Sequence, residues 1–567
     1  MKRIGFVSLL ALAACAGDGP ATAPPVKPLV ASIDFSSPES LKALGALCGS
    51  ETLGVATTAP DIKLAGGFGV ATMKADTANK AAQDWFDYGL RLSDGFYHED
   101  AKAAMKKAVA ADPDCSICAW GEAWALGPTL NYGFAAIDKP AAMAAAENAR
   151  KLAKPGDEKA KLLAEAIVER FKSEKEPAFG LAMKAIADRY PDDVQLTVLA
   201  THALLIPVRA GDKSGLKPAL AMLEAVLKAH PDDSGAIHYY IHATEFDDRA
   251  VDALPYAQKL GRLTPAASHM VHMPAHTMIH AGLYEQAALV NAEAIEADAK
   301  WIKAGGDPRA PSSGTGVAAT LRGAAGNAPP PMYYGHNLGF GLAGALMAGD
   351  AKLSMKYVDN AAIVWPNDKA VKGGTPVHRT YVALARYAPE KALALPELNE
   401  PKLILYRHYA RGEALMLNGD AAGARAEMKA LAAMKGDVRK SPEWGIAQDV
   451  LAGRIALAQG RTGEAARFFE KAARTQETKL SDSWDPPSWW YPVRRSLAAT
   501  WLKAGDYAKA KTEAEASLKS WKLDPLALWV LGKAEIGLGQ AEAGEAHLKQ
   551  ARGIWRGRFD SITAEAI

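Results

Sequence analysis

The chain has 567 residues, of which 49% are hydrophobic and 23% charged, and 66 basic residues nearly balance 64 acidic ones. This composition is that of a globular protein with a sizeable core, and it argues against a disordered chain. The net charge of +2 gives no support to binding through bulk electrostatics, so we expect no nucleic-acid partner. Four cysteines are too few to form a disulfide scaffold for a chain of this length.

Residues 1–14 are typical of an export signal. Lys2 and Arg3 precede an apolar run that is too short to span a bilayer. The run ends in L-A-A-C, which resembles a bacterial lipobox, and the resemblance implies that Cys15 is lipidated. Plain secretory cleavage is the alternative, and it also exports the chain.

The residue after the cysteine bears on localisation. It is Ala16 rather than Asp, and resemblance to Gram-negative sorting signals then implies outer-membrane delivery, facing the periplasm. We expect the protein to contact the membrane through its lipid anchor only. Residues 15–30 are rich in Pro, Ala and Gly and predict a tether. Residues 31–77 lack any repeat phase and predict a non-repeat N-terminal segment.

From residue 78 onward, amphipathic helical runs alternate with short breaks. Ala219, Ala253 and Ala287 recur every 34 residues, and Pro231 and Pro265 share this spacing. The period and the placing of small and bulky residues resemble the tetratricopeptide (TPR) repeat. The resemblance implies an all-α solenoid, in which helical hairpins stack because none can bury its apolar face alone.

One long segment without a helical pattern interrupts the predicted array. Residues 78–304 predict a first TPR array, and residues 305–332 a long loop rich in Gly, Pro and Ala. TPR-like helices are expected over 333–400, and a C-terminal TPR array over 401–567. A loop of this length in a compact array is usually functional or disordered.

Cys115 and Cys118 form a lone C-x-x-C pair. Ala119 follows, not His, so the pair is not a c-type haem attachment site. In an exported protein a local structural disulfide is the plain interpretation. A soft metal site or a redox role is the alternative.

Histidines concentrate between residues 238 and 280. His238 and His242 are spaced i, i+4, as are His272 and His276, so each pair lies on one helix face. The two pairs are 34 residues apart and therefore occupy equivalent positions in adjacent repeats. In the TPR family these positions face the concave groove, so the resemblance implies that imidazoles from neighbouring repeats converge there.

Clustered neutral imidazoles with a carboxylate are suitable ligands for a transition metal such as Zn, Cu or Fe. The candidate metal ligands are His238, His242, Glu245, His269, His272, His276, His280 and His336. Since H-M-V-H-M-P-A-H has no Glu between its histidines, a zincin-type protease is not supported. The histidines could instead bind an anionic peptide or small molecule, or bond structurally to one another and to nearby tyrosines.

Other residues are candidates for a ligand groove. Trp120 and Trp124, with Glu122 between them, predict an aromatic platform, and core packing is the alternative. Arg494 and Arg495 could receive a carboxylate, or form salt bridges within the solenoid. Two further candidates are Tyr239 and Asn337.

Four segments together resemble a family of bacterial exported TPR lipoproteins without a settled activity. They are D-P-D-C-S-I-C-A-W-G-E-A from Asp112, G-L-R-L from Gly89, F-Y-H-E-D-A from Phe96 and the histidine segment from His269. The resemblance covers about residues 65–345, together with residues 489–495. It implies the architecture and the important positions but no reaction.

The sequence therefore predicts an exported, lipid-anchored TPR solenoid that acts as a binding or scaffold protein and holds a transition metal in a His-rich groove. A metal-dependent enzyme is the first alternative, with the 305–332 loop as a lid and Glu245 or a tyrosine as acid or base. A metal-free adaptor that binds a protein or peptide is the second. A small-molecule ligand in the groove is also consistent with the pattern.

Overall fold

A computed structural model describes residues 62–303, 333–364, 377–397, 399–480 and 489–567. The predicted signal, Cys15, the tether and the 305–332 loop lie outside these residues. The predicted all-α, TPR-type helical-hairpin architecture is confirmed for the described chain. Its one extended pairing is an isolated bridge between Thr129 and Tyr132. None of the described helices is long and apolar enough to cross a membrane.

The first half of the described chain contains helices α1 to α13. They are α1 Lys80–Asp94, α2 His98–Ala111, α3 Ser116–Leu126, α4 Lys139–Leu152, α5 Glu158–Ser173, α6 Glu176–Arg189, α7 Val194–Arg209, α8 Leu216–Ala229, α9 Ser234–Phe246, α10 Leu254–Leu263, α11 Ser268–His272, α12 Pro274–His280 and α13 Tyr284–Lys303.

The second half contains helices α14 to α25. They are α14 Tyr334–Ala348, α15 Ala351–Val364, α16 Val377–Tyr387, α17 Pro389–Leu393, α18 Pro401–Leu417, α19 Ala421–Ala433, α20 Pro442–Ala458, α21 Thr462–Lys479, α22 Arg494–Lys503, α23 Tyr507–Ser520, α24 Pro525–Gly537 and α25 Ala541–Ile554.

Consecutive helices pair as antiparallel hairpins because the residues at the predicted repeat positions are small. Ala219, Ala253 and Ala287 are each fully buried, and their lack of bulk lets neighbouring helices approach closely. Helices α8 and α10 end two residues before Pro231 and Pro265, which cannot continue a helical hydrogen-bond ladder. The 34-residue period in the sequence is therefore the period of the hairpins.

The array also folds back on itself. Helix α1 contacts α9, the first helix of a much later hairpin. The segment before α1 crosses the same region: the carbonyl of Gly67 accepts a hydrogen bond from Ala266 N (2.9 Å), and Val70 N donates to Ser234 Oγ (3.0 Å). Gly69 has φ +87°, and a Cβ there would lie 2.1 Å from Ser234 Oγ, so this crossing requires glycine. The fold-back thus brings α1 and the segment before it against α9.

The helix that carries the second histidine pair is broken by a proline. Helix α11 ends at His272, and α12 begins at Pro274. Pro274 has no N–H to donate to the preceding turn, and His276 N donates to the carbonyl of Met273 instead (3.2 Å). This tightened turn lies between His272 and His276, so it helps to set the relative direction of their rings.

Candidate metal centre

Six histidines meet in the interior as two sets of three. Triad 1 consists of His238 and His242 from α9 and His269 from α11. Triad 2 consists of His272 from α11, His276 from α12 and His336 from α14. Within each triad, one ring nitrogen from every histidine lies within 4.8 Å of the others. Among the described residues, neither triad includes a carboxylate.

In triad 2, three Nε2 atoms converge. His272 Nε2 lies 3.0 Å from His276 Nε2 and 2.9 Å from His336 Nε2. The other ring nitrogen of His272 donates to Asn291 Oδ1 (2.7 Å). The orientation of the Asn291 amide follows from its Nδ2, which donates to the carbonyl of Ala287 (2.7 Å). His272 therefore carries its proton on Nδ1 and directs the lone pair of Nε2 into the triad.

Triad 1 is built in the same way. His238 Nε2 lies 3.2 Å from His269 Nε2, and His238 Nδ1 donates to the backbone carbonyl of Asp94 (2.5 Å). A carbonyl can only accept, so the proton of His238 is on Nδ1 and its Nε2 is free to bind an ion. The buried Nε2 of His242 makes no hydrogen bond.

Burial favours the neutral form of four of these rings. It is the main cause that lowers the pKa of His238, His269 and His272 well below the ordinary value, and neighbouring histidines add to the effect. Burial also lowers the pKa of His242, against an opposing hydrogen bond with Glu245. A neutral imidazole is the form that coordinates a metal, so the low pKa values favour metal binding.

Glu245 lies between the two triads, beside their rings. Its Oε1 accepts a hydrogen bond from His276 Nδ1 (2.9 Å), and its Oε2 is 3.8 Å from His242 Nδ1. Burial alone raises the pKa of Glu245, but the charge of His276 and hydrogen bonds from three histidines outweigh it, so the pKa lies well below its usual value. Glu245 is therefore a carboxylate that orients His276 of triad 2 and lies near His242 of triad 1.

His280 lies outside both triads. Its side chain is 48% exposed, and its Nε2 lies 3.5 Å from Glu245 Oε1. Of the eight residues predicted as metal ligands, the structure brings six histidines into the triads. It places Glu245 and His280 beside them.

A phenylalanine packs against each triad. The ring of Phe96 lies with its centroid 4.4 Å from His238, 5.9 Å from His242 and 5.2 Å from His269. Phe96 occupies the turn between α1 and α2 with φ +60°, a conformation that is uncommon for a bulky residue. The groove expected at these positions is therefore filled, because the turn after α1 inserts into it.

Phe340 has the corresponding position at triad 2. Its ring centroid lies 4.7 Å from His272, 4.5 Å from His276 and 5.0 Å from His336. Tyr333 lies beside Phe96 at triad 1. Its ring stacks on His269 at a centroid distance of 4.3 Å, and its hydroxyl donates to the carbonyl of Phe96 (3.0 Å). Apolar and aromatic surroundings lower the local dielectric and exclude water from the triads.

Asp94, at the end of α1, organises the far side of triad 1. Its carboxylate accepts hydrogen bonds from Gln195 Nε2 (2.9 Å) and from the hydroxyl of Tyr239 (3.2 Å). Burial raises the pKa of Asp94 to about 7, against the opposing effect of these hydrogen bonds. Tyr239, predicted as a groove residue, is fully buried and stacks on His238 at 5.2 Å.

The predicted aromatic platform lies in the core. Trp120 and Trp124 are 1% and 4% exposed, and Trp124 packs edge-on against His202 at 5.4 Å. Glu122 is half-buried, and burial raises its pKa. Asn337 follows His336 in α14 and is fully buried, with no hydrogen bond to its side-chain amide. The structure does not present the tryptophans to a groove.

The two C-terminal arginines form ion pairs. Arg494 binds Glu477 and Glu513 near the surface. Arg495 is buried and lies 3.1 Å from Asp524. Both therefore have the structural partners that the salt-bridge interpretation requires, and neither lies in the histidine triads.

Cys115 and Cys118 are joined by a disulfide at the start of α3. Both are fully buried, and the carboxylate of Asp76 accepts hydrogen bonds from the N–H groups of Ser116 (3.1 Å) and Ile117 (2.8 Å). This matches the structural interpretation of the C-x-x-C pair.

Four residues of the centre carried no role in the sequence analysis: Asp94, Phe96, Asn291 and Phe340. Asn291 gave no signal, because it meets triad 2 from α13. Phe340 follows His336 by four residues on α14, so the helical spacing of these two residues was the available signal. Phe96 stood in a segment of family resemblance, but its contacts depend on the fold-back of α1 onto α9.

No family model and no curated protein matches the chain. Among solved structures, the human IFIT1 dimer with m7Gppp-AAAA is similar at 12% identity and TM-score 0.28, over 84% of this chain and 91% of that one. The Cut9 and Hcn1 hetero-tetramer of the APC/C is similar at 13% identity and TM-score 0.28, over 81% and 77%. The TPR domain of P58(IPK) is similar at 13% identity and TM-score 0.19, over 65% of this chain and 94% of that one. Similarities at these scores do not bear on function, and it is the chain's own paired helices and 34-residue period that make it a TPR-like helical-repeat protein.

Proposed function

We propose that this helical-repeat protein binds two transition-metal ions, one in each histidine triad. The observation that carries the proposal is the convergence on His272 Nε2. That atom has one lone pair, yet two other Nε2 atoms approach it at 2.9 and 3.0 Å. Nitrogen atoms from three rings, carried by three helices, therefore converge at one point. A metal ion placed there would accept a lone pair from each ring.

The spacing also suits an ion. Two imidazole nitrogens bound to one ion at about 2.0–2.1 Å lie roughly 3 Å apart when they subtend an angle near 90°. The Nε2 separations of 2.9, 3.0 and 3.2 Å agree with this value. The Nδ1 protons of His238, His272 and His276 are held by a carbonyl, an amide and a carboxylate, which is the outer support that metal-bound histidines usually have.

Metal content tests the proposal directly. Protein purified without a polyhistidine tag is expected to contain about two equivalents of metal by elemental analysis. The His276→Ala variant should lose at least one equivalent. The matched control is His230→Ala, which removes an exposed histidine of the hairpin region without touching either triad. Metal-free protein that also fails to take up Zn²⁺ or Cu²⁺ in titration would contradict the proposal.

A metal-dependent enzyme is the second candidate. Three protein ligands leave at least one coordination position open on each ion. Catalytic metal sites require such an open position, whereas structural sites have every position filled by a protein ligand. Binding of azide to the metal-loaded protein, followed by a change in its absorption spectrum, is the expected sign of such an open position. Loaded protein that does not respond to azide would favour a storage or structural role.

We further propose that the chain is exported and lipid-anchored through Cys15 and that it binds a protein or peptide partner. The lipobox resemblance supports the first part, and the repeat scaffold supports the second. Fatty-acid labelling in a bacterial host should mark the wild-type chain but not Cys15→Ser. Crosslinking in the membrane fraction should recover a defined partner with wild type. Equal labelling of the wild type and Cys15→Ser would contradict the proposed lipid anchor at Cys15.

A further inference from the structure

The two triads are one arrangement repeated along the array. His238 and His242 stand five and nine residues after the N-cap Asp233, and His272 and His276 stand five and nine residues after the N-cap Ala267. In both cases the third ligand comes from the first helix of the next hairpin, His269 on α11 or His336 on α14. Adjacent hairpins in a solenoid are stacked in contact, so a site repeated one hairpin further on is an immediate neighbour.

The neighbouring triads are close enough to form one cluster of rings. Ring centroids within a triad are 4.5–6.0 Å apart. Between the triads, His242 lies 5.8 Å from His276, and His269 lies 5.8 Å from His272. The separations between triads thus overlap those within them. Centres with two metals typically hold their ions about 3.5–4 Å apart, which is within reach of rings packed this closely.

The charge of the surroundings restricts which ions fit. The six ligands are imidazoles, and Glu245 is the carboxylate that contacts the rings of both triads. Two divalent ions would bring four positive charges into a buried, largely apolar site, and uncompensated buried charge is costly. Two cuprous ions bring half of that charge. Imidazole is a ligand that suits copper.

The enclosure restricts the size of any further ligand. Phe96 and Phe340 pack against the three rings of their respective triads, and Tyr333 lies against His269. His242 is 16% exposed and His336 is partly exposed, so the cluster reaches solvent along one edge. This leaves access for an ion or a ligand of one or two atoms rather than for a large substrate.

We propose that the two triads hold a pair of copper ions that binds dioxygen between them. This deepens the proposed function, on which it rests. Each cuprous ion gives one electron, and dioxygen accepts both, so that it becomes a bridging ligand at the oxidation level of peroxide between two cupric ions. No proton or other reductant is needed. The net charge of the site is the same before and after, because two positive charges gained by copper match two negative charges gained by oxygen.

The test uses the full chain, freed of metal and loaded with cuprous ion under anaerobic conditions. We expect two copper ions per chain and uptake of one dioxygen for every two coppers on exposure to air. After oxidation, coupling between the two cupric ions should leave an electron paramagnetic resonance signal from less than about a tenth of the copper. Two bound coppers that take up no oxygen, or that oxidise in air to give a full signal, would overturn the pair while leaving metal binding intact. A failure to bind any metal would overturn both proposals.

Two variants sharpen the result. His336→Ala removes one ligand of triad 2, and the cuprous variant should retain about one copper and take up no oxygen. Loaded instead with cupric ion, its single bound copper should give a full paramagnetic signal. His230→Ala should behave as wild type, since it lies outside the centre. If His336→Ala is poorly folded, its circular dichroism will show this, and wild type loaded with a single equivalent of copper serves instead. Preferential retention of zinc over copper in a competition experiment would also overturn the proposal.

Discussion

In the C-terminal array, buried charges meet opposite charges. Arg495 lies against Asp524, and Arg454 lies against Glu413. The half-buried ring of His408 is hydrogen-bonded to the carboxylate of Glu427. In the region from α9 to α14, six imidazoles form two triads, and the carboxylate of Glu245 lies beside one ring of each. Both regions are built from the same helical hairpins, and they differ in the kind of buried polar group: ion pairs in the first and a cluster of imidazoles in the second.

This difference separates structural polar groups from functional ones. A charge that is paired inside the protein adds little beyond holding the fold together. Imidazole nitrogens that converge at one point are, in contrast, suited to bind a cation. The contrast predicts that substitutions in the C-terminal array change stability, whereas those around the triads change metal binding.

The largest stability effect is expected for Arg495→Ala. It leaves Asp524 buried without its partner, which should lower the free energy of unfolding by about 3–5 kcal/mol. Chemical denaturation with circular dichroism measures this loss. Metal content of the folded variant should match wild type, and loss of metal at full stability would break the comparison between the two regions.

Glu245→Gln should mainly affect metal affinity. It removes the carboxylate that orients His276 and lies near His242, and loss of such outer support typically costs about 10–100-fold in affinity. Isothermal titration of metal-free protein measures the change. The matched control is Glu427→Gln, which removes the carboxylate that His408 and Arg411 share in the C-terminal array. Equal affinity losses in the two variants would contradict the distinction.

Acid should destabilise the N-terminal region through His98. Burial is the main cause that lowers its pKa to about 3, and the charge of Lys102 adds to it. The unfolded chain binds a proton here below about pH 6.5 and the folded chain does not, so stability falls as the pH falls.

Between pH 7.5 and 5.5, this one group should remove about 1.4 kcal/mol from the free energy of unfolding of metal-free protein. Urea denaturation at the two pH values measures the loss. In the His98→Gln variant, the loss of unfolding free energy between the two pH values should be smaller by about 1.4 kcal/mol. The His230→Gln variant, at an exposed position, is the control. An unchanged pH dependence in His98→Gln would show that another group is responsible.

The smallest effect is expected for Arg556→Ala. The ion pair of Arg556 with Glu285 joins the C-terminal end to α13, but the arginine side chain is 40% exposed. Partly exposed pairs contribute about 0–1 kcal/mol, so the thermal midpoint should move by only a few degrees. A much larger shift would mean that contact between the two regions, rather than packing within each, holds the array together.

The repeat period predicted the hairpins because it follows from local chemistry. Ala253 and Pro265 recur where helices must approach closely and where they must stop, and both requirements are met within one hairpin. The same phase showed that His238 and His272 are equivalent. For Arg494 and Arg495, the sequence did not decide between ion pairs and ligand binding. Their acidic partners lie outside the helix that carries the arginines, so the pairing depends on tertiary contacts.

By itself, the sequence determined the all-helical repeat and the set of histidines, since helical periodicity and a 34-residue period can be read without knowing the contacts between hairpins. Only the tertiary structure decided how the histidines divide into two triads and that Phe96, Phe340 and Asn291 surround them. It also decided that the expected groove is filled. The reason is physical: α1 folds back onto α9, and contacts between helices so distant along the chain depend on the cumulative rotation of every hairpin between them.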